Sequence, residues 1–328
     1  MQASRDSYQQ AAAFNWGQAR FRIRGLDNEY GTTMINGVVM NKILDGRPQW
    51  SNWGGLNDAT RNQEFTMGST PSDYTFGGIL GTQEINTRAS TYRKGTRVTF
   101  SGTNTNYSWR SMGTYASGMN TDGWAFVVSG SRRWAQEGYF EGTDYSANSL
   151  FASVEKKFND KHSLNFTSIY AQNSRGKSSP NTKEVNDLKG IKYNSYWGWQ
   201  DGEKRNSRIR NVFEPVFQLA HYWKMGKVSN LNTTVSYQQG SDARSRLDWF
   251  HAADPNPTYY RKLPSYGIYT EDEFRENAQI DWNSLYQANY NNLEGGAVYS
   301  VVEDVNKDKT LNVISHFDTK FKDNWKFN

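Results

Sequence analysis

From residue 94 onward the chain runs in segments of about ten residues in which apolar and polar side chains alternate, separated by connections of very unequal length. Alternation with a period of two gives a strand one apolar and one polar face, so such a chain must form sheet and must cover its apolar faces. Arg97, Thr99 and Ser101 oppose Val98 and Phe100, and Trp124, Phe126 and Val128 oppose Ala125, Val127 and Ser129. Leu150, Ala152 and Val154 share a face; Leu164, Phe166 and Tyr170 return along it after a turn at Asn159-Asp160-Lys161. Ile209, Phe213, Phe217, Leu219 and Trp223 lie on one side with His221, answered by Leu231, Val235 and Tyr237 beyond a turn at residues 224–227. Pro215 interrupts this run, and because proline has no ladder donor a bulge is expected there. Val313, Phe317 and Phe321 mark the last alternating segment.

The turns near residues 159 and 225 are short, whereas the connections over 174–207 and 240–312 are long. Short connections on one side and long ones on the other are the arrangement of a transmembrane β-barrel. Composition agrees: only 36% of residues are hydrophobic, yet 15% are aromatic, which suits aromatic girdles better than an aliphatic core. No apolar run reaches the length of a membrane-spanning helix. The net charge of +5 comes from Lys and Arg interspersed with Asp and Glu, with no basic stripe, so nucleic acid is not an expected partner. The absence of cysteine excludes disulfides and thiol chemistry.

The region before residue 94 has a different style. Phe21 and Ile23 alternate with Arg22 and Arg24 up to Gly25, and residues 34–40 form a second strand pattern interrupted by the turn-prone pair Asn36-Gly37. A short helix is expected over residues 57–63. Then come Phe76-Gly77-Gly78-Ile79-Leu80-Gly81 and Glu84-Ile85-Asn86-Thr87-Arg88. Arg22-Ile23-Arg24-Gly25, followed by Ile35-Asn36-Gly37-Val38 and then by the Gly-Gly and Ile-Asn-Thr-Arg runs, resembles the plug domain of TonB-dependent outer-membrane receptors. The family more often has Asp where this chain has Asn36.

The resemblance implies a mainly β chain: a small α/β plug domain, its C-terminal part over residues 1–93, followed over 94–328 by the N-terminal part of an antiparallel barrel. About eight strands are legible, against about twenty-two in plugged outer-membrane transporters. Eight strands enclose only side chains, so further strands are expected. No secretory signal is legible in the opening residues. Together these imply an internal piece of a longer precursor. The implied function is energised uptake of a nutrient ligand (glycan, peptide or metal chelate) across the outer membrane. The TonB complex would act through a segment not in these residues, and in the Bacteroidota-type branch a surface lipoprotein would capture ligand. Arg22 and Arg24 would pair with acidic residues of the barrel wall, with Gly25, Asn36 and Gly37 completing the plug motif.

No catalytic residue and no cofactor are assigned. His162, His221, His251 and His316 are far apart in sequence with no helical pairing for a metal, and neither a phosphate loop nor a nucleophile elbow is present. Glu271, Asp272 and Glu273 read as a solvated loop cluster. The long connections are dense in aromatics: Tyr196, Trp197 and Trp199 in the first, Trp249, Tyr259 and Tyr260 in the second. These are the candidate ligand contacts, since aromatic faces cover apolar surface and stack on sugar rings. Two other readings are a receptor-like barrel serving another outer-membrane machine and a secreted β-rich carbohydrate-binding module.

Overall fold

The structure, a computed structural model, describes residues 25–322 and 325–327, apart from positions 69, 71, 77 and 294. Arg22 and Arg24 therefore lie outside the described residues. Four short strands, β1 (Thr32–Ile35), β2 (Val38–Val39), β3 (Gln63–Thr66) and β4 (Thr82–Ile85), form a small sheet in the order β2-β1-β4-β3. The β1–β2 hairpin closes through Asn36 and Gly37 at φ +51° and +77°. A two-residue turn with both centres at positive φ matches the twist of its strands, and Asn-Gly is the pair that adopts it most readily. β1 and β4 run parallel, from Thr32 beside Thr82 to Ile35 beside Ile85. The expected helix over residues 57–63 is absent: a 3₁₀ turn sits earlier, at Trp50–Trp53, and Gln63 opens β3. Gly55 holds φ +86°, outside the helical region, and the seven residues left are too few to sustain a helix unaided.

The second sheet contains β5 (Gly95–Gly102), β6 (Trp109–Ala116), β7 (Trp124–Ala135), β8 (Tyr145–Lys157) and β9 (His162–Gly176). After a two-stranded ribbon, β10 (Trp197–Gln200) and β11 (Glu203–Asn206), it continues with β12 (Ile209–Phe213), β13 (Val216–Lys224), β14 (Ser229–Trp249), β15 (Tyr299–Lys322) and β16 (Trp325–Phe327). All neighbours are antiparallel, β5 at one edge and β16 at the other.

β12 and β13 are two halves of one strand. Phe213 faces Gln172 and Ser241, and Val216 faces Ile169 and Gln238, so the register on both sides is the same before and after Glu214-Pro215. The bulge expected at Pro215 is thus not formed; the ladder pauses, because proline offers no N–H, and resumes in step. Opposite the pause stands Gly240, where a Cβ would lie 2.1 Å from the Phe213 carbonyl oxygen. Only glycine lets the strands close there.

The second long connection is shorter than expected, residues 250–298 instead of 240–312. β14 and β15 pair without a break from Ser229–Thr319 to Trp249–Tyr299. At about 3.3 Å per residue this hairpin is about 70 Å long, far beyond the ~25 Å apolar band of a membrane barrel. Its far half carries Glu303, Asp304, Lys307, Asp308 and Lys309 on β15, mostly exposed, so that strand needs no apolar alternation there, while Ala243 and Leu247 of β14 are buried.

The two faces of the large sheet differ sharply. One register row crosses six strands as Phe126, Val154, Phe166, Leu219, Val235 and Val313, and the next as Val128, Ala152, Ser168, Phe217, Tyr237 and Leu311. Neither row holds a charge, and among the described residues nothing packs over them: Leu311 is 67% and Val313 66% exposed, and Val98 at the β5 edge 78%. The opposite face carries Val127, Ser153, Thr167, Gln218 and Ser236 in one row, all buried except for Asn312 at its end. The small sheet covers that face. Ile35, Val38, Leu56 and Ile85 from the small sheet and its loops share one cluster with Ala125, Val127, Phe151, Ile169 and Val216 of the large one.

Candidate functional site

The interface between the small sheet and the large one is mostly polar, and its anchors come from three short segments. The first is the β1–β2 turn. Positive φ at Asn36 turns its amide into the interface, where Nδ2 donates to Thr87 Oγ1 (2.6 Å) and Gln218 Oε1 (2.9 Å) and Oδ1 accepts from the Thr87 N–H (2.9 Å). Gln218 in turn donates to the Ile35 carbonyl at 3.1 Å. A carboxylate at position 36 could accept from Thr87 but could not donate to Gln218.

The second segment follows β4. Arg88 Nε and Nη2 both donate to Glu155 Oε1, at 2.8 and 2.6 Å, and Nη2 also reaches Ser163 Oγ at 2.8 Å. The Ser90 N–H donates to the other oxygen of Glu155 (3.0 Å), and the Arg88 guanidinium lies 4.1 Å over the Tyr222 ring. The Glu155 side chain is fully buried, so this pair stands in a low-dielectric site with each carboxylate oxygen answered. Beside it, Ala89 N–H donates to Asn165 Oδ1 (3.0 Å) and Ser153 Oγ to the Thr87 carbonyl (2.7 Å).

The third segment follows β2. Lys42 Nζ donates to Glu214 Oε1 (2.5 Å) and Asp308 Oδ2 (2.8 Å), while Asn52 Nδ2 donates to Glu214 Oε2 (2.8 Å). The pause at Glu214-Pro215 thus has a purpose: it frees a wall carboxylate to receive two groups from the small sheet's loops. Burial pulls the Lys42 ammonium down, but its hydrogen bonds to Asp308 and Glu214 outweigh it and hold the pKa above the ordinary lysine value. Gln49 reaches the wall at Asp242 (3.3 Å), which Arg210 and Arg244 also bind.

Glu84 is a buried carboxyl of the small sheet itself. Burial pushes it up to about 8, against the pull of the Gly37 and Asn36 N–H groups, and Glu64 on β3 directly opposite adds a like charge. The Gly37 N–H donates to its Oε1 at 3.0 Å.

Of the sequence-derived plug residues, Asn36 and Gly37 stand at this interface, and His316 of β15 approaches the Gly37 carbonyl at 3.4 Å. Gly25 opens the described residues at φ +75° with open space around it. Sequence reasoning missed Lys42 and Arg88 as the cations that meet wall carboxylates. Arg88 was visible as the end of the Glu84-Ile85-Asn86-Thr87-Arg88 run, but its partner lies 67 residues away.

The candidate ligand aromatics lie at the other end of the sheet, where residues 177–208 and 250–298 pack together. These carry α1 (Lys183–Lys189), α2 (Glu271–Glu276) and α3 (Trp282–Asn291), and Val185, Tyr193, Leu263, Phe274 and Ala278 form their joint apolar core. Trp197 is buried, its carbonyl accepting from the Ile280 N–H at 3.1 Å and its ring meeting Trp199 edge-on at 5.4 Å. Trp199 is 57% exposed. Tyr196 lies under the Arg208 guanidinium (4.8 Å), exposed Trp249 ends β14, and Tyr259 meets exposed Tyr260 edge-on at 4.7 Å. Among the described residues no group of three His, Asp or Glu is placed to hold a metal ion.

No protein-family model and no curated protein matches the chain. It is similar to solved structures of the ferric-catecholate import receptor Fiu from E. coli K12. The open form has 12% identity and a TM-score of 0.51 over 91% of this chain and 40% of that one. The closed form has 10% identity and a TM-score of 0.50 over 91% and 37%. The siderophore receptor PiuA from Acinetobacter baumannii is 16% identical over 68% of this chain and 30% of that one, with a TM-score of 0.49. The chain therefore spans about two-fifths of the length of the Fiu structures, and at this identity the likeness is one of fold.

Proposed function

We propose that the chain belongs to a TonB-dependent outer-membrane receptor that takes up a nutrient ligand. Residues 1–93 are the plug part and 94–328 the first part of the barrel. One observation carries the reading: the sheet keeps an uncharged apolar belt bare and buries its polar face under the small sheet. In water that arrangement exposes what the hydrophobic effect would hide, whereas in a bilayer the belt faces lipid and the polar face lines a lumen. Further strands would close the sheet between β5 and β16, since an unpaired edge has no place in hydrocarbon.

In this reading the plug is held by directional polar contacts at Asn36, Lys42 and Arg88. Such contacts weaken steeply once misaligned, so a pull transmitted from the TonB complex can undo them in sequence. Arg22 and Arg24 are further proposed plug contacts, and a surface lipoprotein of the Bacteroidota type is a proposed partner. Tyr196, Trp197, Trp199, Trp249, Tyr259 and Tyr260 belong to the proposed outer ligand surface, with Trp199, Trp249 and Tyr260 the rings a ligand can reach. Expression of the full-length gene followed by membrane fractionation tests the reading. The expected result is recovery in the outer membrane with heat-modifiable electrophoretic migration; a soluble monomer in the aqueous fraction overturns it.

A further inference from the structure

Between the loop at residues 50–57 and the inner face of β5 to β9 lies a cleft of about 350 Å³, large enough for a small ligand. It is at the same end of the sheet as the long connections. Arg110, Arg133 and Arg175 line it together with Trp50, Tyr107 and Tyr145, and among the described residues that line it there is no Asp or Glu. The rings of Tyr107 and Tyr145 stand 5.6 Å apart, and Arg133 lies 5.4 Å over Tyr145.

Two of these arginines are in an unusual state. Arg110 on β6 and Arg133 on β7 are directly opposite each other in the ladder, an arrangement of like charges that costs stability. Arg110 Nε and Arg133 Nε and Nη2 are buried and hydrogen-bond nothing. At the interface with the small sheet three other cations are answered: Lys42 by Glu214 and Asp308, Arg88 by Glu155, Arg210 by Asp242. Gly54 and Gly55 bring the loop backbone against Arg133. A Cβ on Gly55 would lie 2.8 Å from Arg133 Nε, so the close approach requires the glycine. Guanidinium donors buried without a counter-charge are costly, and the cost is recovered when an oxyanion arrives, because Arg presents a planar fork that fits carboxylate, sulfate and phosphate.

We infer that this cleft binds the anionic group of a small ring-bearing ligand, its oxyanion between Arg110 and Arg133 and its ring against Tyr107 and Tyr145. The inference rests on the receptor reading and names the ligand class it takes. An acidic saccharide and a phosphorylated ring compound share this chemistry.

The test uses the full-length receptor purified from the outer membrane in detergent. Binding is measured by calorimetry with trigalacturonate, glucose 6-phosphate, inorganic phosphate and, as the uncharged control, maltotriose. One or both ring-bearing anions should bind, and which one does separates the two sources. Maltotriose should not bind, and R110Q/R133Q should weaken anion binding by at least about tenfold, the loss of one charge-assisted hydrogen bond. R110K/R133K, which keeps the charge but not the fork, should fall between. R133Q alone serves if the double variant does not assemble. Binding of inorganic phosphate alone, equal binding of maltotriose, no binding of any anion, or anion binding unchanged in R110Q/R133Q each overturns the inference. None of these touches the receptor reading, which stands or falls on the fractionation result.

Discussion

The bare and covered faces of the large sheet are made by the same strands, yet they obey opposite rules. Phe126, Val154, Phe166, Leu219, Val235 and Val313 form a continuous apolar row left open, while one residue away along each strand Val127, Ser153, Thr167, Gln218 and Ser236 lie buried against the small sheet. An apolar surface holds any apolar partner, because its attraction is non-directional. The covered face adds to its apolar cluster directional hydrogen bonds and ion pairs, which specify one docked geometry. In the receptor reading proposed above, the bare face would meet lipid, which has no fixed shape, and the covered face would hold a plug that can be released.

The largest expected effect lies on the covered face. Arg88→Met leaves the Glu155 carboxylate buried without its counter-charge and should cost about 3–5 kcal/mol, whereas R88M/E155L should recover most of that loss. Denaturant unfolding of the full-length protein in detergent measures both variants. A double variant no better than the single one would mean that the pair is not the anchor. On the bare face, Leu219→Lys should cost about 2–4 kcal/mol for folding into a bilayer, since a charge at mid-height of the belt meets hydrocarbon. Urea titration in phospholipid vesicles checks it, and an unaffected variant would remove lipid as the partner of that face.

A subtler contrast concerns pH. Glu84 has its pKa raised to about 8 by burial, so the folded state favours the neutral acid. The stability this contributes is complete below the ordinary glutamate value and is lost as pH rises toward about 8, beyond which it changes no further. The thermal midpoint should therefore decline over that window in the wild type, and Glu84→Gln should flatten the decline. A slope unchanged in the variant would assign it to other groups.

Much of the wall was legible because a strand's face is written locally, in every second residue. The hairpin at Asn159-Asp160-Lys161 and the apolar sides of Leu150 to Val154 and Leu164 to Tyr170 needed nothing beyond that period. Asn36-Gly37 was legible as a turn because its backbone conformation favours that pair. The far half of the β14–β15 hairpin was not, since residues 299–309 are mostly exposed and carry no apolar pattern. Nor was the unbroken register at Pro215, which is set by β9 and β14 and not by the proline itself.

What the sequence alone determined is the alternation, and with it a sheet having one apolar and one polar face, closed by short turns at one end and long connections at the other. Only the tertiary structure decided which face is covered and by what. The pairs Arg88–Glu155 and Lys42–Glu214 are 67 and 172 residues apart, so nothing in the local pattern distinguishes those cations from solvated ones. The same holds for Arg110 and Arg133, ordinary residues on two separate strands until the ladder sets them face to face. Charge acts through space, and the distances that decide its effect exist only once the chain has folded.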